Sequence, residues 1–180
     1  RDAQESRGLG DVYKRQKLNK SLLLLSRIEN GQYTEMEDVS VDEILDELLP
    51  DLMDIYEHKQ VRLIRKREEQ PFIIRCNHSL AQILVSNLVK NSLLHNREGG
   101  ELQVFTTPAS LVIRNTGDAP LDGEKLFRRF YHGMDGKKDS TGLGLAIARS
   151  IALSSSLKLT YEWQDGMHTF RLVKESKIYR

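Results

Sequence analysis

A chain of 180 residues with 27 Lys plus Arg against 26 Asp plus Glu has a formal charge of +1, so it has no bulk field to gather nucleic acid or an anionic membrane. Phosphate binding, if present, must be local. The single cysteine, Cys76, excludes an internal disulfide and a cysteine-built metal site, and the longest apolar run, Leu22 to Leu25, is far too short to span a bilayer.

The length suits one main globular unit with an extra element. Residues 1–16 carry no sustained hydrophobic period and resemble translated sequencing-adapter text; they are expected to be a non-native or disordered leader. From Lys17 the pattern changes, with Leu18, Leu22, Leu25 and Ile28 on one stripe and Asn30-Gly31 as a helix stop. A short stripe forms no core alone, so this is either a packing helix of the same domain or the end of a bundle helix. Residues 32–38 read as a linker, and Glu35 to Ser40 lead into a short strand. Asp42 starts a helix through Leu45, Leu48, Leu49, Leu52 and Ile55, where Pro50 predicts a kink or a break. Val61 to Ile64 and Phe72 to Ile74 read as strands separated by a charged turn, Arg65 to Gln70.

Asn77 caps a helix over Ser79 to His95, on which Leu80, Ile83, Leu84, Leu88 and Leu94 share a face that Asn87 and Asn91 interrupt. An unpartnered buried amide costs about 1–3 kcal/mol, so this pair is either a structural hydrogen-bond pair or the wall of a polar ligand site. An amide oxygen can also ligate Mg²⁺. Glu101 to Thr106 and Ser110 to Arg114 alternate as a hairpin around Pro108, ending in Asn115-Thr116-Gly117, where glycine permits close approach of a flat ring. Phe127, Phe130 and Tyr131 could anchor one edge of the stretch His132 to Ser140, which carries Lys137 and Lys138 and reads as a flexible lid. Its lysines are either phosphate contacts or a solvated face. Ser140 or Thr141 then caps a helix with Gly142 and Gly144 in its first turn, a pattern that serves either tight packing or phosphate binding. Leu157 to Trp163 and Met167 to Val173 close the chain as two strands around Gln164-Asp165-Gly166.

Paired asparagines on a helix, a strand-end Asn-x-Gly, Phe-x-x-Phe, a lid and a Gly-x-Gly helix occur here in order. That order resembles the catalytic ATP-binding domain of a bacterial sensor histidine kinase, in the gyrase, chaperone and histidine kinase ATPase superfamily, over residues 39–174. Residues 17–31 resemble the second helix of that family's dimerisation and phosphotransfer bundle; His95-Asn96 and Asn-Thr-Gly are similar to kinases of the Bacteroidetes; 175–180 is a tail. The implied fold is α+β, a two-layer sandwich whose mixed, mainly antiparallel sheet is covered on one face by helices. The implied reaction is transfer of the γ-phosphoryl group of ATP to a histidine on the bundle, for relay to a response regulator receiver domain. The resemblance further implies a homodimer in the full-length protein, and a cytoplasmic domain of an inner-membrane sensor.

Carried over to this sequence, Asn91 would ligate Mg²⁺ and Asn87 would support the phosphate end, the pair doing the catalytic work. Asn115 occupies the position of the adenine-reading aspartate and Gly117 lets the base approach. Thr141, Gly142, Leu143, Gly144 and Leu145 open the helix over the phosphates, Phe127, Phe130 and Tyr131 hold the lid, and His95 lines the pocket. Asn115 replaces an acid, Ala119 a glycine, and Leu94 and His132 stand where relatives carry cations, leaving Lys90, Arg128, Lys137 or Lys138 to compensate. No histidine lies in a bundle-like helix, so the phosphoacceptor is expected elsewhere; His58 and His168 read as surface or sheet residues.

Overall fold

The structure, a computed structural model, describes residues 2–132 and 141–176. Alternation in the sequence becomes alternation of burial in a five-stranded sheet. On β4 (Glu101–Thr107) Leu102, Val104 and Thr106 are buried, and on β5 (Ser110–Thr116) Leu111, Ile113 and Asn115 are. These strands form the expected hairpin, with Leu102 opposite Asn115. β7 (Met167–Lys174) pairs antiparallel with β5 and with β6 (Leu157–Gln164). The turn Asp165-Gly166 has positive φ at both residues, 52° and 72°, the geometry a two-residue hairpin loop needs. β2 (Arg62–Arg67) runs parallel to β4, giving the order β2-β4-β5-β7-β6. β1 (Glu37–Ser40) and β3 (Ile73–Cys76) form a separate antiparallel ribbon.

One expectation about β2 needs correction: it extends to Arg67, through half of the expected charged turn. The charges are satisfied within the strand: Arg65 and Arg67 both reach Asp46 on the neighbouring helix.

Among the described residues four α-helices, α1 (Asp2–Glu29), α2 (Val41–Ile55), α3 (His78–Leu94) and α4 (Gly144–Ser154), and a short 3-10 helix, Glu57–Lys59, complete the fold. Ser40 and Asn77 cap α2 and α3 by accepting from the amides of Glu43 and Leu80, each at 3.2 Å. Helix α2 runs through Pro50 without breaking; the residue is exposed, and only its own missing amide is lost from the ladder. The buried sides of α2, α3 and α4 meet the buried side of the sheet in one core. Asp42 links them from inside: this buried carboxylate accepts from the Phe72 amide at 2.7 Å and from the Thr106 hydroxyl at 2.6 Å. Helix α1 packs on α4 through Leu25 and Ile28. Residues 2–16 are the exposed first half of that helix, with no break at Gln16.

Candidate functional site

Where α3, α4, α1 and the end of the sheet converge, a cavity of about 500 Å³ opens, within the usual size range for a small-molecule site. It brings together Asn87, Asn91 and His95 of α3, Tyr131, Thr141 and Gly142 before α4, and Gly144 and Leu145 at its start. Asn115, Gly117, Phe127, Phe130 and Leu143 do not line it. Lys137 and Lys138 lie outside the described residues.

Helix α3 presents two faces. The deeply buried one carries Leu84, Val85, Leu88, Val89 and Ser92. Asn87 and Asn91 lie beside it, half-buried on the cavity side, with Ile83, Lys90 and Leu94. The two amides differ in what they hold. Asn87 Nδ2 donates to the Gly144 carbonyl at 3.1 Å, tying α3 to the start of α4. The Asn91 carboxamide makes no hydrogen bond among the described residues, and exposed Lys90 makes no ion pair among them. The C-terminus of α3 is fixed by Lys59, whose Nζ donates to the carbonyls of Leu93 at 2.9 Å and Asn96 at 3.0 Å, and also to that of Leu94.

The start of α4 departs from the expected cap. Leu143, not Ser140 or Thr141, is the N-cap, and no side chain bonds to the first turn. Leu143 is fully buried, so its side chain serves the core and cannot cap. The amides of Gly144, Leu145 and Ala146 precede any helical carbonyl that could accept from them, leaving a positive helix end beside the cavity. Gly142 has φ +71°, and a Cβ there would meet Phe130 Cα at 2.7 Å; its carbonyl accepts from the Phe130 amide at 2.8 Å. Phe130 itself has φ +64° and stands half-exposed, whereas Phe127 packs edge-on against Phe170 at 6.4 Å. A Cβ on Gly144 would meet nothing within 4 Å.

At the sheet end, the buried rows of β5 and β7 finish in Asn115 and His168, which are register partners. Asn115 is 1% exposed and its Nδ2 donates to the Thr116 carbonyl at 3.1 Å. His168 does line the cavity. Its Nδ1 is 2.8 Å from the Tyr161 hydroxyl, which accepts from the Leu121 amide at 2.9 Å and which burial pushes above its ordinary pKa. The sequence reading missed His168 and the contribution of α1, from which Lys17, Ser21 and Leu24 form the far wall. The signal for His168 was present: His168, Phe170 and Leu172 alternate on the core face of β7.

Among the described residues no three His, Cys, Asp or Glu side chains cluster to hold a metal, and no helix is long and apolar enough to cross a membrane. Among the oxygen-bearing side chains at the cavity are the amides of Asn87 and Asn91, hard ligands of the kind that hold Mg²⁺ only together with phosphates and water.

Residues 77–175 match the family described as histidine kinase-, DNA gyrase B-, and HSP90-like ATPase. The chain is 31% identical over 153 residues to the sensor histidine kinase RppB of Synechocystis, a match covering 78% of this chain and 33% of RppB. The Acinetobacter baumannii histidine kinase AdeS superposes with a TM-score of 0.77 at 19% identity, covering 98% of this chain and 86% of that one. Full-length ShkA in complex with AMPPNP superposes with a TM-score of 0.69 at 17% identity, covering 97% and 39%. The fold is thus the expected α+β sandwich of a histidine kinase catalytic domain. The chain spans about a third of the length of the curated relatives it matches.

Proposed function

The chain belongs to the histidine kinase-, DNA gyrase B-, and HSP90-like ATPases, and from that membership we propose that it is the ATP-binding catalytic domain of a sensor histidine kinase. In this reading it gives the γ-phosphoryl group of ATP to a histidine of a dimerisation and phosphotransfer bundle, for relay to an aspartate of a response regulator receiver domain. Residues 17–31 are the end of that bundle and 39–174 the catalytic domain, in a homodimeric sensor whose catalytic part faces the cytoplasm. In this reading the acceptor histidine belongs to the dimerisation and phosphotransfer domain of the same protein; none of the five histidines of this sequence lies on α1.

One observation carries the reading: the uncapped start of α4, and the Asn91 carboxamide and Lys90 ammonium, which have no hydrogen-bond or ion-pair partner among the described residues, meet at one cavity. A polyphosphate supplies what each of them lacks. Asn87 holds the glycine start of α4 in place, and Asn91 offers its oxygen to Mg²⁺ shared with the phosphates. Bound Mg²⁺ supplies charge neutralisation on the phosphoryl oxygens. The protein side of the transfer is positioning, since phosphoryl transfer needs little covalent work from the enzyme. Tyr131, His132 and Thr141 cover the phosphate end.

A second reading rests on Leu94 and His132, which line the cavity where the resemblance expects cations. It makes the chain an interaction module that binds nucleotide poorly. Calorimetric titration with Mg-ADP separates the two, because heat at micromolar nucleotide supports the kinase domain and none at millimolar supports the module. Labelled phosphohistidine on a separately expressed bundle, formed from γ-labelled ATP, then tests the transfer. Binding without any label would remove the kinase role.

A further inference from the structure

Helix α1 carries two adjacent stripes. Leu18, Leu22, Leu25 and Ile28 pack toward the core, while Lys17, Ser21 and Leu24, spaced four and three residues apart, line the cavity. The helix is anchored near its end by buried Leu25 and Ile28 and by Glu29, which pairs with Arg129 at 2.6 Å. Two turns of helix then carry Lys17 back along the cavity wall.

Charge at this wall is one-sided. Over the whole chain 27 Lys plus Arg meet 26 Asp plus Glu, yet the described residues that line the cavity include two lysines, Lys17 and Lys90, and no carboxylate. Lys17 is exposed and, like Lys90, makes no hydrogen bond or ion pair among the described residues. Three sources of positive potential on three helices thus border one space: the uncapped amides of α4, the Lys90 ammonium of α3 and the Lys17 ammonium of α1. A neutral base offers an ammonium only lone pairs, whereas a polyphosphate offers several charges, so the ammonium is drawn to the phosphates. The Ser21 hydroxyl, one turn along the same face, is a further donor beside it.

We propose that Lys17 is a phosphate-binding residue of this cavity, so that α1, which lies outside the 77–175 family match, completes the anion site. The proposal rests on the cavity being a nucleotide site. It supplies a cation to a wall where Leu94 and His132 stand in place of the expected ones.

The test titrates the 180-residue chain with Mg-ATP and Mg-tripolyphosphate by calorimetry. Lys17→Met keeps the stem and the helix propensity and removes the charge, and should weaken binding of both ligands at least about threefold without moving the urea midpoint. Lys17→Arg should stay within about twofold of wild type. The control is Arg15→Met, which removes the same charge two residues earlier and about 200° round the helix, at an exposed side chain that does not line the cavity. It should leave both affinities unchanged. The loss in Lys17→Met should also shrink between about 0.05 M and about 0.5 M salt, as a charge contact does and a packing defect does not. Unchanged affinities in Lys17→Met overturn the proposal, as do an equal loss in Arg15→Met or a loss that salt leaves alone. A wild type that binds neither ligand removes the nucleotide reading itself, and the proposal with it.

Discussion

Gly144→Ala should make the protein more stable and a worse nucleotide binder at once. Gly144 is the first residue of α4, has no positive φ, and leaves open space for 4 Å around an added Cβ. Exchange to alanine at such a site removes backbone freedom from the unfolded chain and favours the helix, a gain of about 0.4–1 kcal/mol. The new methyl stands at the cavity wall beside the amides proposed to hold phosphate. Losing one charge-assisted N–H contact there costs about 1.5–3 kcal/mol, or about 10- to 150-fold in affinity. Urea unfolding followed by circular dichroism reads the first effect and calorimetry with Mg-ADP the second. Gly142→Ala is the informative contrast: with φ +71° and Phe130 Cα 2.7 Å from the new Cβ, it should lose stability and binding together. Unchanged affinity in Gly144→Ala would return this helix start to a packing role, and parallel loss of both properties would refute the open-space reasoning.

Three further outcomes follow from particular contacts. Asn91→Ala should reduce Mg²⁺-dependent nucleotide affinity at least about tenfold while changing the unfolding midpoint little, because its carboxamide has no partner to lose among the described residues; titration with and without chelator checks both. Lys59→Met removes the ammonium that three carbonyls at the end of α3 share, and should cost about 1–3 kcal/mol in urea unfolding. At Asp46 burial pushes the carboxyl up, but the hydrogen bonds and charges of Arg65 and Arg67 outweigh it and hold the group below its ordinary 3.8. A depressed carboxylate stabilises above its unfolded pKa, and that gain is lost as pH falls through the folded value. The stability gap between wild type and Asp46→Asn should therefore be flat near neutrality and close below about pH 4; it should stay under about 1 kcal/mol because the side chain is 46% exposed. A gap that widens on acidification refutes this.

How much of this was legible in the sequence depends on whether the signal was local. The hairpins around Pro108 and Asp165-Gly166 and the Asn77 cap follow from residues within a few positions of each other, and all three formed as read. Period-2 alternation gives a strand's face but not its partner, so the parallel pairing of β2 with β4 was not legible, and Arg65 and Arg67, read as a charged turn, are answered by Asp46 on α2. Capping chemistry likewise named Ser140 or Thr141 for α4. The buried side chain of Leu143 decided otherwise, because core packing outweighed a cap that the cavity does not need. The wall from α1 was illegible, since nothing in its stripe says which helix it meets.

His168 shows what a polar residue on an apolar period means. Asn115 ends the row Leu111, Ile113 on β5, and His168 begins the row Phe170, Leu172 on β7. A fold under selection for stability alone would continue such rows with leucine or phenylalanine, because a buried amide or imidazole contributes less than the apolar surface it replaces and must still be hydrogen-bonded. Here both are satisfied, Asn115 by the Thr116 carbonyl and His168 by the Tyr161 hydroxyl. Satisfaction removes the penalty without supplying a gain, so packing does not account for the pair. Two polar groups at one level of the sheet, one of them on the cavity wall, fit the proposed nucleotide reading, in which the uncapped amides of α4 face the other end of the ligand.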